Sequence, residues 1–184
     1  MRKLTHKEIV EQQLSQVVEP RLPLCVVVND IRSLHNVGSI FRTCDGLGVE
    51  KLWLCGITGY PPQSEISKTA LGAEQRVCWE YQKNILAVLK TLKEQHYHIV
   101  LLEQTDESVP YEQFRPRSPT CLVIGSEIGG IAEDILPWAD TAVEIEMRGI
   151  KNSLNVAVAF GVVAYHFRNC LQKQPSQKFL GMIV

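Results

Sequence analysis

The chain has 184 residues, of which 45% are apolar and 21% charged, and its formal net charge is −1. A chain of this length buries roughly 70% of the surface it would expose when unfolded, so we expect one domain with a sizeable core. The charge balance excludes a globally basic nucleic-acid-binding protein, and any RNA-binding surface has to be local. The longest apolar run is far shorter than the roughly 20 residues of a membrane span, which predicts a soluble, cytoplasmic protein.

The first predicted element is a helix over residues 5–19. Thr5 and Glu8 have the spacing of a capping box at its start, and prolines at 20 and 23 end it. The remaining elements alternate between apolar runs typical of buried parallel strands and segments with helical spacing. Strands are predicted over 24–28, 52–55, 76–81, 98–102, 121–124 and 142–146, and helices over 36–47, 65–71, 84–95, 132–137 and 152–171. This alternation predicts an α/β fold with a mainly parallel sheet flanked by helices.

The cysteines and histidines do not form a metal-binding pattern. None of the six cysteines is paired as C-x-x-C, and Cys25, Cys55 and Cys121 lie inside apolar, strand-like runs. This is typical of reduced, buried thiols. His96 and His98 lie at strand spacing without a cysteine nearby, which favours a half-exposed strand over a zinc site, so no metal is expected.

The C-terminal helix is apolar nearly all round. One stripe consists of Val156, Ala159, Phe160, Val163 and Phe167, another of Leu154, Val158, Val162 and Tyr165, and between them lies a track of small residues, Ala157, Gly161 and Ala164. Such a helix is buried on more than one side. It is either a central helix of one subunit or a helix that packs on its own core with one face and on a partner subunit with the other.

A first candidate segment follows the first strand and contains Asn36, Gly38 and Arg42. Ligands in parallel sheets bind outside the carboxyl ends of the strands, where this segment lies. We expect Gly38, one helical turn before Arg42, to leave open space beside the guanidinium. The alternative is that Asn36 is only a helix N-cap and that Arg42 is only a solvated charge.

A second candidate segment, with Gly125, Glu127 and Gly130, follows the strand over 121–124 directly. Glycines there permit a tight turn and the close approach of a ligand. The glycine spacing matches neither a dinucleotide-binding fingerprint nor a phosphate-binding P-loop. A plain strand-to-helix turn is the alternative.

A third candidate segment contains Ile145, Met147 and Gly149 and leads to Ser153 and Asn155 at the start of the last helix. Helix capping is the simplest role for Ser and Asn at that position. Residues two apart do not face each other along a helix, so both can serve one site only in a loop or first-turn geometry.

Taken in order, the three segments resemble the SpoU/TrmH family of RNA 2′-O-methyltransferases, within the SPOUT superfamily, over about residues 24–170. The matching positions are Asn36, Gly38, Arg42, Gly125, Glu127, Gly130, Ile145, Met147, Gly149, Ser153, Leu154 and Asn155. Glu146 and Ala157 depart from the residues that are frequent in the family, Pro and Ser. The resemblance implies a C-terminal trefoil knot, which physical rules alone would not propose, and a homodimer with active sites at the subunit interface.

The resemblance also implies the reaction, the transfer of a methyl group from S-adenosyl-L-methionine to a ribose 2′-hydroxyl of tRNA or rRNA, with tRNA favoured. Arg42 matches the catalytic residue of the family. A guanidinium is a poor base because its pKa lies above 12, so we expect Arg42 to position the 2′-oxygen or the adjacent phosphate by bidentate hydrogen bonds. The residues implied to orient Arg42, cofactor and ribose are Asn36, Glu127, Ser153 and Asn155, and those implied to hold the cofactor lie near Gly125, Ile145, Met147 and Leu154.

These expectations divide the chain into an N-terminal helical extension over 1–23, a methyltransferase domain over 24–171 and a tail over 172–184. Candidate phosphate contacts are Lys3, Lys7, Arg21, Arg32, Lys51, Lys68, Arg76, Arg148 and Lys151. Two other interpretations stay open: a non-catalytic RNA-binding SPOUT protein that acts in RNA maturation, and an unrelated α/β nucleotide-binding enzyme.

Overall fold

The computed structural model describes residues 1–15 and 21–173. The helices are α1 His6–Ser15, α2 Leu34–Leu47, α3 Ser64–Ala70, α4 Ile85–Glu94 and α5 Val156–Leu171. The strands are β1 Leu22–Asn29, β2 Val49–Cys55, β3 Trp79–Gln82, β4 His98–Leu102, β5 Val109–Pro110, β6 Thr120–Ile124 and β7 Thr141–Glu144.

The seven strands form one sheet in the order β3-β2-β1-β6-β4-β7-β5, and every strand pairing is parallel. The predicted α/β fold with a mainly parallel sheet flanked by helices is therefore confirmed. All strands end at one edge of the sheet, so the three candidate segments, which follow β1, β6 and β7, start from the same edge. The trefoil knot stays a prediction.

Alternate residues of the central strands enter two separate cores. In β1, Val26 and Val28 pack with α2, α3 and α5 on one face of the sheet, whereas Cys25 and Val27 pack with α4 on the other. A parallel strand that is covered on both faces needs apolar residues at every position. This explains why the sequence shows continuous apolar runs rather than alternation.

The predicted boundaries hold for most elements, with informative exceptions. The capping box at the start of α1 is present, since Thr5 N donates to Glu8 Oε2 at 2.8 Å and Glu8 N donates to Thr5 Oγ1 at 3.3 Å. Residues 16–19 of the predicted first helix lie outside the described residues. The predicted short helix near 132–137 is wrong in type and extent, because only a 3-10 turn at Leu136–Trp138 forms there.

The two apolar stripes of helix α5 differ in burial. Phe160, Val163 and Phe167 are buried in the core of the subunit, whereas Val158 and Tyr165 on the other stripe are 53% and 44% exposed. Leu154 and Val162 are exposed as well. The small-residue track does not form one surface: Ala164 is buried, whereas a Cβ on Gly161 would have open space around it.

All six cysteines are free thiols. Burial raises the pKa of Cys25 to about 11 and that of Cys55 to about 12, so these thiols stay protonated. The strand interpretation is wrong for His96, which lies in the turn before β4 with φ of 62°, and right for His98, the first residue of β4. Across residues 1–15 and 21–173 there is no helix of sufficient length and apolarity to cross a membrane, and no cluster of three His, Cys, Asp or Glu side chains that could hold a metal.

Candidate active site

The carboxylate of Glu127 joins the first two segments. It accepts hydrogen bonds from the backbone amides of Arg32 at 3.1 Å and Ser33 at 3.2 Å, and from Asn36 Nδ2 at 2.9 Å. This is possible because β6 lies directly beside β1 in the sheet. The loop after β6 therefore reaches the loop after β1, although the two are more than ninety residues apart in the chain.

Asn155 adds the third segment to this network. Its Nδ2 donates to Asn36 Oδ1 at 3.1 Å, and its Oδ1 accepts from the backbone amides of Ala157 at 3.0 Å and Val158 at 3.4 Å. Asn155 is thus the N-cap of α5 and a member of the site at the same time. The interpretation of Asn36 as an N-cap is wrong, because Ser33 caps α2 and the Asn36 side chain points to Glu127.

The hydrogen bonds control the ionisation of Glu127. Partial burial by itself would raise the pKa of this carboxyl, but the hydrogen bonds from Asn36 and from the backbone amides of Arg32 and Ser33 outweigh it and lower the pKa. Glu127 is therefore a carboxylate at neutral pH. It accepts hydrogen bonds here and does not deliver a proton.

A cleft of about 700 Å³ opens at the carboxyl ends of β4, β6 and β7, next to this network. Its lining includes all four predicted cofactor-binding residues, Gly125, Ile145, Met147 and Leu154, and three of the predicted catalytic residues, Glu127, Ser153 and Asn155. Ser153 lies in the exposed loop before α5 and Asn155 at its cap, so the loop geometry required for both to serve one site is realised.

The glycines of the second segment shape one wall of the cleft. A Cβ on Gly125 would overlap the backbone of Gly130, and Gly130 has φ of 63°, a conformation that favours glycine. Ser126 and Gly130 close the loop through mutual backbone hydrogen bonds of 3.0 Å. These two glycines therefore allow the backbone of the loop to pass close to itself.

Two residues that line the cleft were not predicted from the sequence. Glu103 accepts from the amide of Ile131 at 2.8 Å, and Gln104 Nε2 donates to the carbonyl oxygen of Asn152 at 2.6 Å, so both hold cleft loops in place. The sequence feature that could have identified them is the polar run directly after the buried strand β4, at the edge of the sheet where ligands bind.

Arg42 lies apart from this cleft. It is exposed on α2, six residues and roughly 9 Å along the helix from Asn36, and it lines a separate hollow with Lys68 and Tyr165. The expected open space beside Gly38 is wrong, because a Cβ there would overlap Thr69 Oγ1 and the carbonyl oxygen of Ile66. Gly38 is instead the contact that lets α3 pack closely on α2.

Comparison with known proteins decides the family. The model of the SpoU rRNA methylase family matches residues 23–165. The chain is also 32% identical over 168 residues to the tRNA (guanosine(18)-2′-O)-methyltransferase of Aquifex aeolicus, covering 91% of this chain and 77% of that protein. The chain belongs to the SpoU methylase family.

Solved structures agree with this family assignment. The crystal structure of the A. aeolicus TrmH/SpoU tRNA-modifying enzyme superimposes with a TM-score of 0.78 at 30% identity, covering 90% of this chain and 84% of that one. A protein studied for the 2-OH methylation of C/U34 on tRNA gives a TM-score of 0.72 at 25% identity and covers 82% of this chain and 97% of that one. The predicted enzyme class, an RNA 2′-O-ribose methyltransferase that uses S-adenosylmethionine, is confirmed.

The chemistry of the SpoU-family cleft fits this cofactor. Among the described residues that line it are three carboxylates, of Glu103, Glu127 and Glu144, and neither a lysine nor an arginine. Such a lining suits a ligand with a positively charged sulfonium. The apolar side chains of Ile145 and Leu154, with the backbone of the glycine loop, offer a surface for an adenine ring and partners for its nitrogens.

Proposed function

We propose that this SpoU-family protein methylates a ribose 2′-hydroxyl of tRNA. The observation that carries the proposal is the hydrogen-bonded network of Asn36, Glu127 and Asn155 at the mouth of an acidic cleft. It joins residues of all three segments that the resemblance to the family assigns to one site. The tRNA substrate is supported by the named activities of the relatives from A. aeolicus and Thermus thermophilus, the latter 28% identical over 159 residues.

In this proposal the side chains position groups rather than exchange protons. S-adenosylmethionine, when bound, supplies a methyl group on a positively charged sulfur. Glu127 and Asn155 hold Asn36 and the loop after β1 against the cleft, and Ser153 lines the same cleft. Arg42 donates paired hydrogen bonds to the ribose oxygen or the adjacent phosphate. Methyl transfer gains chiefly from this alignment.

A second copy of the chain completes the proposed site. The hollow around Arg42 and the cleft share no lining residue, which favours a site that Arg42 completes from a second subunit. The exposed apolar residues Val158 and Val162 on α5 give a face for a homodimer. We infer that Arg42 of one subunit serves the cleft of its partner.

The test is methyl transfer to unmodified tRNA transcripts. With a labelled methyl donor, the protein should produce alkali-resistant dinucleotides, and sequencing of the product should map the ribose. Arg42→Ala should lower kcat at least about 100-fold with its fold intact. Arg117→Ala, a matched exposed arginine that precedes β6 at the other edge of the sheet, should be unaffected.

Two results would contradict the proposal. Full activity of Arg42→Ala would show that Arg42 is not part of the site. Absence of S-adenosylmethionine binding in calorimetry, with RNA binding retained, would favour the non-catalytic RNA-binding protein instead. The cytoplasmic location and the domain boundaries at residues 23 and 171 remain predictions.

A further inference from the structure

The hollow that contains Arg42 has its own electrostatic character. It measures about 620 Å³, lies between α2, α3 and the outer side of α5, and is lined by seven residues. Two of them, Arg42 and Lys68, are cationic and none is acidic. The nearby cofactor cleft has the opposite lining, with three carboxylates and no lysine or arginine among its described residues.

Neither of the two cations of the hollow is held in an ion pair among the described residues. Within residues 1–15 and 21–173, neither Arg42 nor Lys68 has a hydrogen bond or an ion pair, whereas Lys51 and Lys93 are paired with Glu80 and Asp140. Glu65 lies one turn before Lys68 on α3, but it does not line the hollow, and its carboxylate accepts from Ser64 Oγ at 2.9 Å. Glu65 attracts Lys68 electrostatically. The lining of the hollow is nevertheless cationic, and two positive charges there raise the local concentration of anions.

Tyr165 adds an uncharged hydrogen-bond donor to the lining of the hollow. Its hydroxyl has no partner in the described part of the chain, and a Cβ on Gly46 would lie 3.1 Å from it. The other three hydroxyls of the hollow are already used as donors. Ser39 and Thr69 both donate to the carbonyl oxygen of His35, at 2.9 and 3.0 Å, and Thr43 donates to the carbonyl oxygen of Ser39 at 3.1 Å. The free donors are therefore a guanidinium, an ammonium and a phenol.

We propose that this hollow binds one backbone phosphate of the RNA substrate and that Lys68 is the positioning residue that holds it beside Arg42. A guanidinium recognises a phosphate with two parallel hydrogen bonds, and an ammonium adds a point charge. The hollow is wide and open, which suits a segment of a polyanionic chain. This inference rests on the proposed function, since it takes RNA as the ligand.

The position of the hollow agrees with this role. Tyr165 lies on the same exposed stripe of α5 as Val158 and Val162, the face proposed for the partner subunit. The hollow is thus at the edge of that face. A phosphate held there by Lys68 places the neighbouring ribose within reach of Arg42, at the boundary between the two subunits.

The experiment compares Lys68→Ala with Lys90→Ala. Lys90 is also exposed and lies on α4, which covers the other face of the sheet. For unmodified tRNA transcripts we expect Lys68→Ala to weaken binding about tenfold. We also expect it to reduce the slope of log affinity against log salt concentration by about one. Lys68→Arg should restore both, and the affinity for S-adenosylmethionine should not change. A purely structural role at the end of α3 would lower Tm without changing the salt slope.

The outcomes separate this inference from the proposed function. One outcome is that the wild type binds tRNA, that Lys68→Ala reduces the slope of log affinity against log salt concentration, and that the wild type transfers no methyl group. The proposed function then fails and the phosphate site stands. If the wild type methylates tRNA and Lys68→Ala behaves like Lys90→Ala, the phosphate site is overturned and the function stands. If the wild type binds no RNA, both are overturned.

Discussion

At the scale of single residues, the site depends on side chains that do two things at once. Asn155 caps α5 with its oxygen and reaches Asn36 with its nitrogen. A cap and a site contact are therefore not alternatives at this position. Substitution can separate the two, because serine retains a capping oxygen but has no amide nitrogen.

We predict that Asn155→Ala loses about 1 kcal/mol of stability along with most of its activity. Asn155→Ser should keep the stability within a few tenths of a kcal/mol, as expected for one good cap residue replacing another, and still lose about tenfold in kcat/KM, the worth of one hydrogen bond. Thermal unfolding and steady-state kinetics on the same preparations check this. Equal activity of Asn155→Ser and the wild type would show that the contact with Asn36 is only structural.

Glu127 gives a prediction about pH. Its pKa is lowered in the folded protein, so its contribution to stability is present above the unfolded pKa, roughly 4.3, and is lost as the pH falls through the folded pKa. At pH 7 we expect Glu127→Gln to be about 1 kcal/mol less stable than the wild type, a figure reduced for its partial exposure. The difference should shrink toward pH 3.

The control for this measurement is Glu133→Gln, which makes the same charge change at an exposed position. Denaturant unfolding between pH 3 and pH 7 should show no comparable pH-dependent difference for it. A pH-independent difference for Glu127→Gln would mean that the side-chain shape, and not the charge of Glu127, stabilises the loop after β1.

At the scale of elements, α2 holds both parts of the proposed site and is fixed by its packing on α3. Gly38 is the point of closest approach, because any Cβ there meets Thr69 and the backbone of Ile66. Helix packing at this distance tolerates no added methyl group without displacement of a backbone. The register of α2 against α3 also places Lys68 beside Arg42 in the hollow.

We predict that Gly38→Ala destabilises the protein by about 1–3 kcal/mol, the usual cost of overpacking, although alanine is the better helix former. Gly46→Ala on the same helix is the matched control. Its Cβ would meet only the mobile end of Tyr165, at 3.1 Å, so its stability should change little. Urea denaturation of both variants decides this. A neutral Gly38→Ala would contradict the close packing of α2 on α3.

At the scale of the whole molecule, the proposed site combines Arg42 of one subunit with the cleft of its partner. The exposed stripe of α5 is the face that we assign to the partner. A charge placed in the centre of an apolar interface costs several kcal/mol when it is buried without a partner. Assembly and activity should therefore be lost together.

We predict that Val158→Glu is a folded monomer without activity, as measured by analytical ultracentrifugation and methyl transfer. Ala87→Glu, on the exposed side of α4, should remain dimeric and active. Mixed dimers of two weakened variants, Arg42→Ala and Asn155→Ser, should recover part of the activity, because one of their two sites is then intact. No recovery in the mixture would place Arg42 and the cleft in the same subunit.

The amino-acid sequence by itself determined six of the seven described strands, all except the two-residue β5, together with the main helices and the three segments of the site. These follow from local patterns: continuous apolar runs, helical spacing, and polar residues directly after strands. The resemblance to the SpoU/TrmH family also followed from these segments and named the reaction. Local patterns carry no information on which strands are neighbours.

Only the tertiary structure decided how the segments meet. The sheet places β6 between β1 and β4, and this order alone brings Glu127 to Asn36 and opens the cleft beside them. It also showed that Gly38 serves helix packing and that Arg42 faces a hollow of its own. Such contacts join residues as far apart as Asn36 and Asn155, which are separated by 119 positions. They depend on the packing of the whole core and not on any stretch of sequence.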